Sequence, residues 1–338
     1  MITLKQTLEQ LHEQISWAWK ETQHLHLPAS YKKCDRLVVI GMGGSALGAH
    51  VVKCVYAKKL SIPMEIVNGY ELPGGVGKNT LVLLSSYSGS TEEVLVAYET
   101  AKKSHAKLLV MCAGGELAKR AKRDQTPGYV YDAGNLIPSN KRGVVQPRYA
   151  SGFSVIGTLG MLTKLGFLRV SQKEVFELVS MLKQRVDLKT PTTLAKKFHG
   201  RIPVLVASEH LEGSAHLFAN YCHETSKQFA IWFVLPELNH HLMEGLSFPK
   251  EIVKKMTFVL FESQLYHSRS QNRYGITAQV IAENGARVER ILLKQKTRLL
   301  QAFELIQLAG YTTAELARLN KADPFNIIWV EWFKERMK

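Results

Sequence analysis

Two short turns concentrate groups suited to holding an anion. Gly41-Met42-Gly43-Gly44-Ser45 follows the apolar run Leu37-Val38-Val39-Ile40, and Ser86-Tyr87-Ser88-Gly89-Ser90-Thr91 follows Leu81-Val82-Leu83-Leu84. Glycine lets backbone approach a ligand closely, and the N–H groups at a helix start attract negative charge. Ser45, Ser86, Ser88 and Thr91 add hydroxyl donors. Ser90 with Glu93 fits a capping box, which would begin a helix there. A Gly/Ser turn that only caps a helix is the plainer reading of either turn alone. Two of them after successive strands favour a ligand, because open parallel sheets bind ligands at the carboxyl ends of their strands. The rival reading is a dinucleotide fingerprint at Gly41, Gly43 and Ala46. It wants an acid about 20 residues on at a strand end, whereas Glu65 falls inside Met64-Glu65-Ile66-Val67.

The second half carries groups suited to moving protons. From Glu212 to Lys227 the spacing is helical, with His216, Asn220, Glu224 and Lys227 on one face. The plainer reading is a solvated face with local Glu–Lys pairing. His216 and His223 lie seven residues apart and so lack the H-x-x-x-H spacing of a metal-ligand pair. Pro236-Glu237-Leu238-Asn239-His240-His241 follows an apolar strand and offers imidazoles that exchange protons near neutral pH. Gln146-Pro147-Arg148-Tyr149-Ala150 is a turn before a helix. Its guanidinium would serve a developing oxyanion or an ion pair.

The elements that must position these groups read as a twice-repeated α/β pattern. Strands are expected near 37–41, 64–68, 81–85, 107–112 and 128–132, with helices between. A helical stretch from 153 to 188 breaks near Ser171. New strands follow near 202–207, 229–235, 256–261 and 287–293, with helices near 211–227, 270–282, 296–309 and 324–336. Such alternation implies parallel sheets covered on both faces. The expected division is 1–165 and 166–338, with the linker helices in the second domain.

The 338 residues are 46% hydrophobic and 22% charged, an ordinary globular composition. No apolar run has the length of a membrane span, and the opening residues do not read as a signal peptide. The four cysteines, Cys34, Cys54, Cys112 and Cys222, form no C-x-x-C pair, so reduced thiols and a cytoplasmic setting are expected. The net charge of +15 is dispersed, and no nucleic-acid-binding motif accompanies it. Steering of small anions is the expected use of that charge, with neither nucleic acid nor membrane as partner.

Taken together, the motifs resemble the bifunctional phosphoglucose/phosphomannose isomerases, which are built from two sugar-isomerase (SIS) domains. The glycine turn, the hydroxyl turn with Glu92 and Glu93, Pro147-Arg148, the stretch Asn220 to Lys227, Pro236 to His240, Asp323-Pro324 and Phe333-Lys334 occur in the family's order. The resemblance implies two αβα sandwiches, each a parallel sheet flanked by helices. It implies interconversion of glucose 6-phosphate and mannose 6-phosphate with fructose 6-phosphate through a cis-enediol(ate), with no metal and no cofactor. Gly43, Gly44, Ser45, Ser86, Ser88 and Thr91 would hold the phosphate. Glu224 would be the base, Arg148 the stabiliser of the enediolate, and His240 and Lys334 the helpers in ring opening. His240 would come from the other subunit of a homodimer, the alternative being that the neighbouring His241 is itself the functional ring. This chain has Ser90 where the family has Asn, and His223-Glu224-Thr225 where it has Asn-Glu-Asn. The alternative is a non-catalytic SIS protein that senses sugar phosphates.

Overall fold

The computed structural model describes residues 4–132 and 146–337. The chain divides into two compact units, Met1–Arg185 with Arg298–Phe303, and Val186–Thr297 with Glu304–Lys338.

In the first unit every strand is parallel to its neighbours, in the order β2-β1-β3-β4-β5. The strands are β1 (Arg36–Ile40), β2 (Met64–Val67), β3 (Thr80–Ser86), β4 (Lys107–Cys112) and β5 (Gly128–Val130). Their branched apolar runs suit a sheet buried on both faces, because alternate side chains point to opposite sides. Val38, Ile40, Val82, Leu84 and Val110 pack with Val94, Ala97 and Tyr98 of helix Glu92–Lys103 and with Leu117 of helix Gly115–Arg123. Helices Leu11–His24, Gly44–Val55 and Ser151–Leu165 also belong to the unit, and Ser151–Leu165 is buried along almost its whole length. Thr158 on this helix reaches the Met111 sulfur on β4.

The next helix, Gln172–Lys183, begins at a complete capping box between Ser171 and Glu174. That box is the physical cause of the break expected near Ser171. The helix stays with the first unit, and the Trp19 indole donates to Gln172 Oε1 at 2.6 Å. The compact boundary therefore lies beyond the linker helices rather than before them.

The second unit holds four parallel strands in the order β7-β6-β8-β9. They are β6 (Ile202–Ala207), β7 (Ile231–Val234), β8 (Met256–Ser263) and β9 (Arg287–Leu293). Phe218 of helix Glu212–Ser226 lies between Phe198 and Phe261, with ring centroids 6.2 and 5.8 Å away. Helix Ser268–Glu283 contacts β8 and β9, and helix Ile328–Arg336 buries none of its side chains. Among the described residues no helix is long and apolar enough to cross a membrane. Cys34, Cys112 and Cys222 are buried free thiols and Cys54 is half-buried. Burial raises the Cys112 and Cys222 thiols, which favours the neutral, unreactive form.

Candidate functional site

β1 and β3 are adjacent strands, and the turns that leave their carboxyl ends meet. The first turn reverses at Gly43, where φ is +49°, a conformation that costs a side-chain-bearing residue energy. Helix Gly44–Val55 begins immediately after it. The Ser45 hydroxyl accepts from Tyr87 N–H at 3.0 Å, and Ser85 Oγ donates to the Ser45 carbonyl at 2.8 Å. Asn68, at the exit of β2, donates to the Gly41 carbonyl at 2.6 Å. These three bonds fix the glycine turn against both neighbouring strand ends.

The hydroxyl turn is built by its own backbone. Gly89 N–H donates to Ser86 Oγ at 3.0 Å, and Ser90 N–H donates to Ser88 Oγ at 3.2 Å. Ser86 Oγ and Thr91 Oγ1 are 2.7 Å apart. A Cβ on Gly89 would stand 1.8 Å from the Gly114 carbonyl oxygen, so only glycine lets this turn lie on the next one. A hydroxyl carries one hydrogen and two lone pairs. Ser45 and Ser88 each use a lone pair on a backbone N–H, and one hydrogen suffices for the Ser86–Thr91 contact. The turns thus keep hydroxyl hydrogens for an anion, beside the first N–H groups of two helices.

The expected capping box at Ser90 and Glu93 does not form. Thr91 is the N-cap of helix Glu92–Lys103, and no side chain caps that helix start. Ser90 Oγ turns back to the Ser88 carbonyl instead. The dinucleotide reading also lacks its acid, because Glu65 is paired with Arg36 at 2.5 Å at the opposite end of β1 from the glycine turn.

Arg148 sits beside the glycine turn. A Cβ on Gly44 would lie 3.3 Å from the Pro147 carbonyl oxygen and 3.8 Å from Arg148 Cα. Arg148 is buried, 4% exposed, and its guanidinium carbon lies 5.5 Å from the Tyr149 ring centroid. Gln14, from the first long helix, grips this segment from behind. Its Nε2 donates to the Tyr149 carbonyl at 3.0 Å, and its Oε1 accepts from Gly152 N–H at 3.2 Å. Burial pushes the Tyr87 phenol up to about 12, so it stays a neutral hydrogen-bonding group at physiological pH.

In the second unit, His216, Asn220 and Glu224 share the half-buried side of helix Glu212–Ser226. His216 stacks on Trp232 of β7, with centroids 4.5 Å apart and planes 16° from parallel. His223 Nε2 lies 2.9 Å from the Ala230 carbonyl oxygen, tying the helix end to the approach of β7. These two imidazoles have packing and bonding tasks. Lys227 ends the helix at φ +53°, and its amine donates to the Glu224 carbonyl at 2.6 Å. It therefore folds onto backbone rather than extending the helical face.

The turn after β7 is pinned where it leaves the sheet. Leu235 N–H donates to the Ala207 carbonyl at 2.9 Å, and Ser208 Oγ donates to the Leu235 carbonyl at 2.8 Å. Glu237–His240 then forms a 3-10 turn. His241 Nε2 lies 3.2 Å from a Glu237 carboxylate oxygen. His240 is exposed, and no hydrogen-bond or ion-pair partner reaches its ring among the described residues. Lys334 lies in helix Ile328–Arg336 and is exposed. Gln14, Asn68 and the bonds of Asn239 described below carried no sequence signal, since their partners are tens of residues away or more.

Known proteins share the family and the fold. Residues 189–337 match the family model of the bacterial phospho-glucose isomerase C-terminal SIS domain, and residues 30–125 match the SIS domain. A bifunctional phosphoglucose/phosphomannose isomerase of Caldicellulosiruptor bescii is 32% identical over 97% of this chain and 96% of its own length. One from Aquifex aeolicus is 31% identical over 89% of this chain and 90% of its own. The C-terminal domain of glucosamine-fructose-6-phosphate aminotransferase from Francisella tularensis shares the fold at TM-score 0.72 and 13% identity, covering 96% of this chain and 98% of that one.

Proposed function

The chain belongs to the bifunctional phosphoglucose/phosphomannose isomerase family, and from that membership we propose that it interconverts glucose 6-phosphate and mannose 6-phosphate with fructose 6-phosphate. The observation that carries the reading is the pair of turns after β1 and β3, whose hydroxyl oxygens take backbone N–H bonds and keep O–H hydrogens for an anion. Gly43, Gly44, Ser45, Ser86, Ser88 and Thr91 bind the phosphate in this reading.

The chemistry is a proton transfer between neighbouring carbons. The Glu224 carboxylate takes the proton from C2 of the open-chain aldose, and the electron pair forms the C1–C2 double bond of a cis-enediol(ate). The C1 carbonyl electron pair moves to O1, the O2 hydroxyl proton passes to O1, the same carboxylic acid returns its proton to C1, and the C2–O2 carbonyl of the ketose forms. Arg148 offsets the negative charge on the oxygens of that intermediate. His240 and Lys334 move protons at O1 and O5 when the ring opens. Deprotonation at C2 erases the difference between the two epimers, so one base serves both aldoses. The freedom of the His240 ring, against the Glu237-bound His241, supports His240 for this task.

The chain also forms a homodimer in this proposal, with His240 supplied to the partner subunit's site. Helix Ile328–Arg336 supports it, with Trp329 77% and Phe333 58% exposed. No metal, cofactor, nucleic acid or membrane enters the scheme, and a cytoplasmic setting suits a sugar-phosphate substrate.

The test is incubation with fructose 6-phosphate in D2O, followed by NMR. The expected result is glucose 6-phosphate and mannose 6-phosphate with deuterium entering at C2. Binding of the sugar phosphate with neither product would overturn the isomerase and leave a sensor.

A further inference from the structure

The Asn239 side chain is held at both ends. Its Nδ2 donates to Thr277 Oγ1 at 2.8 Å and lies 3.4 Å from the Met243 sulfur. Its Oδ1 accepts from Arg273 Nη1 at 3.2 Å. Arginine has only donors, so the oxygen end of the amide must face it, and the orientation of Asn239 is fixed. Both partners lie on helix Ser268–Glu283, one turn apart. Thr277 is 1% exposed, so its hydroxyl is a rigid anchor.

His240 is the next residue along the turn, and its own ring has no such anchor. An imidazole that works on O1 and O5 needs its backbone fixed to within about half an ångström. We propose that Asn239, Thr277 and Arg273 form a clamp that positions His240, with Asn239 as the positioning residue rather than a group that touches the sugar. The inference rests on the proposed role of His240. It assigns a task to the Asn of the Pro236–His240 segment and to two residues of a helix that the motif does not include. The Pro236–Leu238 part of the turn is attached to β6 through Leu235. At the His240 end the Asn239 amide ties the turn to helix Ser268–Glu283, beside the turn's own backbone bonds from Asn239 N–H to Pro236 and His241 N–H to Leu238.

The test is a double-mutant cycle. Thr277→Val keeps shape and removes the acceptor. It should lower kcat on fructose 6-phosphate about ten-fold and leave KM within two-fold, because the phosphate grip lies on other turns. Thr277→Ser should restore the rate. In a His240→Ala background, Thr277→Val should cause no further loss, since residues acting as one unit are non-additive. Arg273→Met, at a half-buried position, should show the same pattern at about three-fold and serves if Thr277→Val fails to fold. Equal losses in both backgrounds would overturn the clamp and leave the role of His240 standing. His240→Ala at the wild-type rate would instead remove the reading of His240, and the clamp with it.

Discussion

Ser86 Oγ and Thr91 Oγ1 stand 2.7 Å apart and close the hydroxyl turn across its mouth. The contact joins the last residue of β3 to the N-cap of the following helix. Thr91→Val keeps the branched shape and removes both the contact and a donor. Hydrogen bonds to a charged group are worth about 1.5–3 kcal/mol, so KM for fructose 6-phosphate should rise at least ten-fold. Ser88→Ala added to it should raise KM further. An unchanged KM in the double variant, measured by steady-state kinetics, would place the phosphate elsewhere.

Gln14 is the support of the Arg148 turn, bonding Tyr149 and Gly152 with its two amide ends. Gln14→Leu would remove a bond to a buried carbonyl and one from a buried N–H, at about 1–3 kcal/mol each. The melting temperature should drop by several degrees and kcat should fall as Arg148 loosens. Gln14→Glu keeps the acceptor for Gly152 and should be milder in both measurements. If Gln14→Leu melts normally and keeps full kcat, the turn is held by other contacts.

The strands and the two turns were legible because their signals are local. β4, β6 and β9 have the bounds their apolar runs give, and the glycine turn shows its positive φ in the residue type. The helix start at Thr91 was not legible. Ser90 and Glu93 have the spacing of a capping box, yet the turn geometry directs the Ser90 hydroxyl to Ser88. The true box at Ser171 and Glu174 has the same spacing, and only tertiary structure separates the two cases. Likewise, helical spacing places His216 on the Glu224 face but cannot reveal Trp232 stacked against it. The grip of Gln14 on a turn 135 residues later follows from packing alone.

Helix Ile328–Arg336 has nine residues, below the roughly 12–15 at which an isolated helix becomes stable in water. Its exposed Ile328, Trp329, Val330, Trp332 and Phe333 are the surface a second subunit would cover. If the proposed homodimer uses this face, wild-type protein should sediment as a dimer, and Trp329→Glu with Phe333→Glu should give a monomer with lower activity, because Lys334 lies in the same helix. A variant that stays dimeric would move the interface to another face.

Glu224 lies on the half-buried side of its helix, one turn from Asn220, and its carbonyl is held by the Lys227 amine. A general base contributes about 10²–10⁴-fold to rate. Glu224→Gln keeps size and hydrogen bonding and removes basicity. It should lower kcat by that order with KM nearly unchanged, the pattern of a group needed in the transition state. Deuterium entry at C2 should fall in parallel. His240→Ala should behave differently, slowing turnover of the closed-ring sugar more than exchange into the open-chain form, because ring opening precedes enolisation. His241→Ala is the comparison, since that ring is already engaged by Glu237, and it should stay close to wild type. Exchange at the wild-type rate in Glu224→Gln would exclude Glu224 as the base, while the phosphate turns of the first unit would keep their role.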